Sequence, residues 1–591
     1  MTHDDREQQI AQAEEILGDR LEKQSFVKGL FFGQYAADRL APYPHFPADD
    51  PSHHLVAQLR EYCRTSIDPV AIDKNARIPD SVVRGLGQLG ILGACLPERC
   101  GGMDLTQSEY CRLLEVLGGH CGGTALFVNA HHSIGPRALV LFGTKAQQDQ
   151  YLPKSATGEW ISAFALTEPE AGSDAANVQT TATPSADGRG YLLNGTKRWI
   201  TNGGIAKVLT VMARTPTPSG KDSRITAFLV TPDMAGFQVV EERMEKMGVR
   251  GTATSRLAFN NMFVPNENIL GQPGKGLKVA LTVLDFGRTT FGAACTGAAK
   301  FCLDRAVHHA RTRVQFGKTL GEFELVKEKL AHMQAGVYAM EACTYQTAAL
   351  IDSGAGDFML ETAMLKVFAT ETLNKILGDT FQLHGGLAYF TDQPFERMVR
   401  DARINTIGEG ANDVLRGFTA LVGMRDVGLE LEGVLNSLFA PLQGMTRLGR
   451  FAGRKLTSLL VAPTIDVRSP ELEAEAAGVG RLINLLGKSV ERLLVTHQKE
   501  IVERQYLLGR IADAATEAFV SSCVLRRLDY ELHGDRKRDA LQVAAGKFYL
   551  QTAARRIRAN LAALWENDDD ATTELANRML GGGRASEHNG H

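Results

Sequence analysis

The stretch INTIGEGANDVLR sets Glu409 between Gly408 and Gly410, inside a segment that otherwise reads as helix. Each glycine weakens a helix by roughly 1 kcal/mol relative to alanine. One reason for the pair is a helix start, where an acidic first turn favours the helix dipole. Another is space, because residues without side chains let a ligand come close to the carboxylate. Two further stretches, FALTEPEAGSD (164–174) and KRWITNGG (197–204), are rich in hydroxyls, amides and glycines and lie in or beside β-type runs. Taken singly, Ser173 fits a hydroxyl-closed turn and Trp199 a core aromatic. Taken together, the stretches suit a flat polar heterocycle, with backbone and threonine hydroxyls on its edge and an indole over one face. In FQLHGGLAYF (381–390), Gly385 and Gly386 permit close backbone approach to a phosphate, or tight helix packing.

Other candidates carry less. GQPGKGLK (271–278) has the glycines of a phosphate loop but Leu277 and Lys278 where Lys-Ser/Thr is required, so a β-to-α connection is expected. His131/His132 and His308/His309 are adjacent pairs. Helix neighbours point about 100° apart, so neither makes a metal face, and ordinary surface or core histidines are expected. No Gly-x-Ser-x-Gly elbow is present.

The elements that must position these residues change character along the chain. Residues 51–158 show helical apolar spacing. Residues 159–275 show short β-type runs such as VLTVMAR and ITAFLV, separated by Asp-Gly, Asn-Gly and proline turns. Residues 276–425 return to long helices of bundle type, and 426–575 are helical again, split by APTIDVRSPE. Residues 1–50 form an N-terminal extension, and 576–591 a tail expected to fray. The expected fold is α+β multidomain: an N-terminal helical domain, a middle antiparallel β domain, a four-helix bundle domain and an extra C-terminal helical domain. Within 438–463, arginines and Lys455 fall at three- and four-residue steps among Leu, Phe and Met. That pattern fits an interfacial amphipathic helix or a helix packed on the body with a solvated basic face.

Composition excludes several classes. Net charge is −3, hydrophobic residues make up 44% and charged residues 23%, so no overall field argues for nucleic acid. Nine scattered cysteines without a Cys-x-x-Cys pair indicate a reducing compartment and no zinc ribbon. No run of about 18 apolar residues occurs, and MTHDDREQQIAQAEE has the composition of neither a signal nor a transit peptide. A bacterial cytoplasmic protein is expected, with peripheral contact at the inner face of the membrane if 438–463 is interfacial.

ALTEPEAGSD, RWITNG, RTRVQFGK, QLHGG and GEGANDVLR, in this order and spacing, resemble the acyl-CoA dehydrogenase family over about residues 50–425. The opening SFVKGLFFGQYAADRLAPYPHFP and the C-terminal extension resemble its very-long-chain branch. The resemblance implies FAD and a helical, β and four-helix arrangement. It puts Leu166, Thr167 and Ser173 along the flavin and substrate, Trp199 along the isoalloxazine, and Thr201 near its N5. Arg313, Phe316, Gln382 and Gly386 match residues that reach the FAD of a neighbouring subunit, which implies a homodimer. Asp285 and Arg288 match positions near the CoA end of the substrate, and Glu409 falls on the catalytic base. The implied reaction removes a proton α to a thioester and a hydride from the β carbon, with electrons passing to electron-transfer flavoprotein. The enolate oxygen would be met by a ribityl hydroxyl and the Glu409 N–H.

Two positions depart from the family pattern. Gly408 replaces a bulky aromatic, which widens the pocket and makes a branched or bulky acyl-CoA conceivable. Ala411 replaces a threonine that contacts FAD, removing a hydroxyl contact of about 1 kcal/mol. Competing readings are a flavin oxidase on the same fold, against which TEPEAGSD and RWITNG argue, and a scaffold or assembly protein with little turnover, against which Glu409 argues.

Overall fold

Thr106 opens helix α1 (Gln107–His120) with a capping box: its hydroxyl accepts from the Glu109 N–H and the Glu109 carboxylate accepts from the Thr106 N–H. The structure, a computed structural model, describes residues 23–47, 49–217, 222–439, 462–533 and 539–581. After α1, helix α2 (Gly122–Asn129) runs directly into one π-helical turn, Ala130–Ile134. The long helix α3 (Gly276–Thr312) packs against α1 and against α4 (Glu324–Asp352) and α5 (Met359–His384). The α1–α3 contact is backbone to backbone. A Cβ on Gly118 would stand 2.2 Å from the Ala294 carbonyl oxygen, and one on Gly297 would stand 1.9 Å from that of Glu115. The GQPGKGLK segment is the expected β-to-α connection, leading into α3 at Gly276.

Between the helical parts lies a sheet of β1 (Ser162–Ala165), β2 (Thr181–Pro184), β3 (Gly190–Ile200), β4 (Val208–Pro216), β5 (Ser223–Val230), β6 (Phe237–Glu241), β7 (Ser255–Pro265) and β8 (Ile269–Leu270). The order is β6-β7-β3-β2-β4-β5-β8, with β1 pairing β4 off this path. The expectation of an antiparallel domain needs correction. β1 and β2 both run parallel to β4, so the sheet is mixed. A parallel pair needs a long crossover, and the TEPEAGSD loop with the β2–β3 hairpin supplies it. Alternate residues, including Leu193, Leu209, Val211, Phe228 and Leu257, form a buried core.

The chain divides into two compact units. Ala37–Leu415 with Cys523–Tyr549 belongs to one, and Phe26–Ala36, Arg416–Ser522 and the chain from Leu550 to the other. Within the expected C-terminal domain at 426–575, Cys523–Tyr549 clusters with the first unit. In the second unit FVKGLF (26–31) is a fully buried helix of the N-terminal extension, with Phe26 6.3 Å from Phe519 between ring centroids. Helix Asp569–Met579 continues past 575, and Arg510 holds Asp569 through two bonds of 2.7 and 2.6 Å. The amphipathic segment 438–463 lies, but for its ends, outside the described residues. Among the described residues no helix is long and apolar enough to cross a membrane.

Candidate active site

Glu409 lies in the connection between helix α6 (Phe395–Arg403) and the helix that begins at Asn412, so the helix-start reading does not hold. Its backbone is left-handed, with φ 56°, and Gly410 follows at φ 96°, a conformation that favours glycine. Two cations pin the successive carbonyls: Arg288 Nε donates to Glu409 O at 3.2 Å, and Lys366 Nζ to Gly410 O at 2.6 Å. Lys366 also donates to Asn412 Oδ1 at 2.9 Å, and burial pulls its pKa down to about 8. These bonds compensate a left-handed non-glycine residue that alone costs of order 1–3 kcal/mol.

The Glu409 residue is partly exposed, but its carboxyl is sheltered. Oε1 accepts from Asn129 Nδ2 at 3.0 Å, whereas Oε2 is buried with no hydrogen-bond partner among the described residues. Burial pushes the carboxyl up to about 7, against the pull of Arg288, Lys366 and the Asn129 bond. Gly287 makes room for it, because a Cβ there would stand 2.5 Å from Oε2. Reaching the group through Asn129 lies a largely apolar cleft, its wall including Gly118, Gly122, Ala125, Leu126, Asn129 and Thr290.

Asp285 and Arg288, expected at the CoA end of a substrate, form a buried pair at 3.1 Å with side chains 0% and 6% exposed. The Asp285 carboxylate also accepts from Thr362 at 3.0 Å, and Arg288 supports the Glu409 carbonyl. Their charges are matched internally. His131 and His132 are core histidines: Ser162 N–H donates to His131 Nδ1 at 3.0 Å and Cys95 N–H to His132 Nε2 at 2.9 Å. His131 Nε2 then donates to the Ser155 carbonyl at 3.1 Å, and burial lowers its pKa to about 4.

The TEPEAGSD and KRWITNG stretches meet. Lys197 Nζ donates to Glu168 Oε1 at 2.7 Å and to the Leu166 carbonyl at 2.9 Å, and Arg198 N–H donates to the Thr167 carbonyl at 3.0 Å. Both partners of the ion pair are buried, at 0% and 3% exposure. Glu168 is anchored in turn by the Gln179 and Thr180 N–H groups. Lys197→Met would strand a buried carboxylate, so a stability loss of about 3–5 kcal/mol is expected in denaturant titration.

The β3–β7 register slips between Lys197 and Ile200, and this bulge turns Trp199 out at φ 59°. Trp199 is 53% exposed, which is not a core position, with the Arg198 guanidinium 4.7 Å over its ring. Arg198 Nε is buried without a partner among the described residues. Thr201 follows in the turn after β3 and is half-buried, while Ser173 is exposed in the loop after β1. An open indole face, a satisfied loop beside it and an orphaned donor fit a flat polar group.

Phe316 is 93% exposed at φ 54° in a two-residue hairpin turn completed by Gly317 at φ 76°. Arg313, Gln382 and Gly386 are also exposed, and no atom lies within 4 Å of a Cβ built on Gly385 or Gly386. Phe316 and the Gly385–Gly386 pair are thus each left open on the surface. Sequence reasoning missed Asn129, Gly287, Lys366 and the Lys197–Glu168 pair. The only local signals were a lysine opening KRWITNGG and a glycine inside LDFGR.

Three family profiles match: acyl-CoA dehydrogenase N-terminal domain (50–159), middle domain (163–262) and C-terminal domain (274–422). A fourth, the ACAD9/ACADV C-terminal domain, matches residues 470–580. The very long-chain specific acyl-CoA dehydrogenase of Homo sapiens mitochondria is 36% identical over 92% of this chain and 85% of its own. The probable acyl-CoA dehydrogenase FadE10 of Mycobacterium tuberculosis is 34% identical over 98% and 91%. The crystal structure of an acyl-CoA dehydrogenase complexed with FAD from Bacillus anthracis superposes with TM-score 0.77 at 27% identity, covering 93% of this chain and 94% of that one. On these matches the chain belongs to the acyl-CoA dehydrogenase family.

Proposed function

We propose that this FAD-dependent acyl-CoA dehydrogenase oxidises long or very-long-chain acyl-CoA to trans-2-enoyl-CoA, with Glu409 as the base. The observation that carries the base assignment is Oε2, a buried carboxyl oxygen with no partner among the described residues, on the group that Asn129 joins to a largely apolar cleft. The α C–H proton passes to Oε2, and the electron pair left at the α carbon forms the α,β double bond. The hydride that leaves the β carbon would pass to the flavin, which supplies the two-electron acceptor when FAD is bound. An acyl chain filling the cleft expels water and raises the basicity of Glu409 further. The Glu409 N–H would serve the thioester oxygen as that carbon gains enolate character.

Leu166, Thr167, Ser173, Trp199 and Thr201 would hold the flavin and the reacting end of the substrate. Arg313, Phe316, Gln382 and Gly386 would reach the FAD of a second copy in a homodimer, which accounts for the exposed Phe316. Long chains are favoured by a cleft walled with Gly118, Gly122 and Ala125, and by the very-long-chain specificity in the human relative's name. A branched substrate is the second reading, because a Cβ on Gly408 would meet only the Ile404 carbonyl, at 3.6 Å. Electron-transfer flavoprotein is the proposed acceptor and the bacterial cytoplasm the proposed location.

Anaerobic titration of the FAD-bound protein with palmitoyl-CoA, butyryl-CoA and a branched acyl-CoA tests this reading. Flavin bleaching fastest with palmitoyl-CoA is expected, followed by reoxidation on adding electron-transfer flavoprotein rather than oxygen. Bleaching by the branched substrate alone would move the assignment to Gly408 and away from long chains. No bleaching by any of the three, with FAD retained, would sink the enzyme reading and favour a scaffold.

A further inference from the structure

We infer that Asn129, held by Thr290, is a positioning residue that selects which oxygen of Glu409 takes the substrate proton. The inference rests on Glu409 being the base. Asn129 is the last residue of α2, at the junction with the π-helical turn, and is 3% exposed. Short π segments inside α-helices occur frequently at functional sites. A buried amide at such a junction must find partners, and Asn129 finds two. Its Nδ2 donates to Glu409 Oε1 at 3.0 Å, across 280 residues of sequence. Its Oδ1 lies within bonding distance of the Thr290 hydroxyl.

Thr290 Oγ1 has one proton and several acceptors in reach, among them Gly287 O at 2.9 Å and Ser133 Oγ at 3.2 Å. The helix carbonyl does not depend on it, whereas the amide oxygen has no other donor among the described contacts. With the hydroxyl on Oδ1, the amide can present only its NH₂ to Glu409. The reversed amide would set Oδ1 against an ionised carboxylate. Thr290 therefore fixes the amide, and the amide fixes the carboxylate.

The consequence is a division of labour between the two oxygens. Oε1 is tied by a donor and is the less basic; Oε2 is bare and buried, pressed against Gly287. The tied oxygen blocks rotation of the carboxyl, so the bare one meets the α carbon in every turnover. The same bond favours the ionised form and opposes the effect of burial. The other charged groups around the site are Arg288 on α3, paired with Asp285, and Lys366 on α5. Glu371 on α5 accepts from Asn412 at 3.2 Å and its charge also acts on Lys366, and Asp401 on α6 lines the cleft. Helix α2 presents no titratable group to the carboxyl, so Asn129 acts as a neutral donor.

The test is the pH dependence of flavin reduction by palmitoyl-CoA in the FAD-bound protein, measured by anaerobic stopped flow. Wild type is expected to rise with pH to a plateau. Asn129→Ala should move the midpoint upward by about one pH unit and lower the plateau roughly tenfold or more. Thr290→Val should move the midpoint in the same direction by less, and Thr290→Ser should restore the wild-type profile. If Asn129→Ala does not fold, the two Thr290 variants decide alone. A purely structural role would leave the midpoint in place, and that result in both Asn129→Ala and Thr290→Val would overturn the inference. Glu409→Gln, run alongside, separates the cases. Retained reduction there would overturn the base assignment and the inference together, whereas an unmoved midpoint with Glu409→Gln inactive would overturn only the role of Asn129.

Discussion

In Glu409→Gln the flavin stays oxidised on mixing with palmitoyl-CoA: its reduction slows by roughly 10²–10⁴-fold, the usual worth of a positioned general base. FAD remains bound, because the loop is held by its main chain and not by this side chain. Arg288 and Lys366 bond the carbonyls of residues 409 and 410, and Gln retains an oxygen to accept from Asn129. The variant should also be more stable than wild type at alkaline pH. Glu409 has its folded-state pKa raised from 4.5 to about 7 by burial. Below 4.5 it is protonated in both states and affects nothing. As pH rises toward 7 the unfolded chain ionises first, so wild-type stability falls, and the loss is complete above the folded-state value. At about 1.4 kcal/mol per unit the gain in Glu409→Gln approaches about 3 kcal/mol near pH 8 and vanishes toward pH 4. Thermal unfolding across that range reads it. A variant that gains stability while losing turnover is what a strained catalytic carboxylate predicts.

Gly287→Ala should cost roughly 10²-fold in flavin reduction while leaving the protein folded. The added Cβ would stand 2.5 Å from Oε2 and 3.0 Å from Cδ and Oε1 of Glu409. The carboxyl is the far end of a flexible side chain, so it gives way and the helix does not. A displacement of this size at a reacting atom is enough for the loss. Alanine is favoured over glycine within a helix by about 1 kcal/mol, so stability should hold or rise. Circular dichroism and FAD content separate this outcome from simple misfolding, which would lower both.

The residues legible in the sequence are those whose reason is local. Glu409 between two glycines, Trp199 in RWITNG and Thr167 in TEPEAGSD each sit in a turn or bulge that the neighbouring residues build, and the structure joins the last two through the Arg198–Thr167 bond. What the sequence hid is non-local. Asn129 looks like any helix-end asparagine until the fold brings Glu409 to it. Lys366 reads as one more lysine on a helix, yet it is fully buried and holds the base loop. Gly287 reads as a weak point in a long helix, and only the carboxyl lying against it gives the reason. The parallel pairing of β1 and β2 with β4 was hidden for the same cause: alternation marks strands but not their direction. Of helix Asp569–Met579 only the continuation past 575 was hidden, because its anchor Arg510 lies 59 residues from Asp569.

The central claim is that Glu409 removes the α proton. The measurement that tests it most directly follows deuterium at the α carbon of palmitoyl-CoA, mixed anaerobically with FAD-bound wild type and Glu409→Gln and read by mass spectrometry. Wild type should release the label to solvent as the flavin bleaches, and Glu409→Gln should retain it. Release at the wild-type rate in Glu409→Gln would contradict the account, because some other group would then be the base.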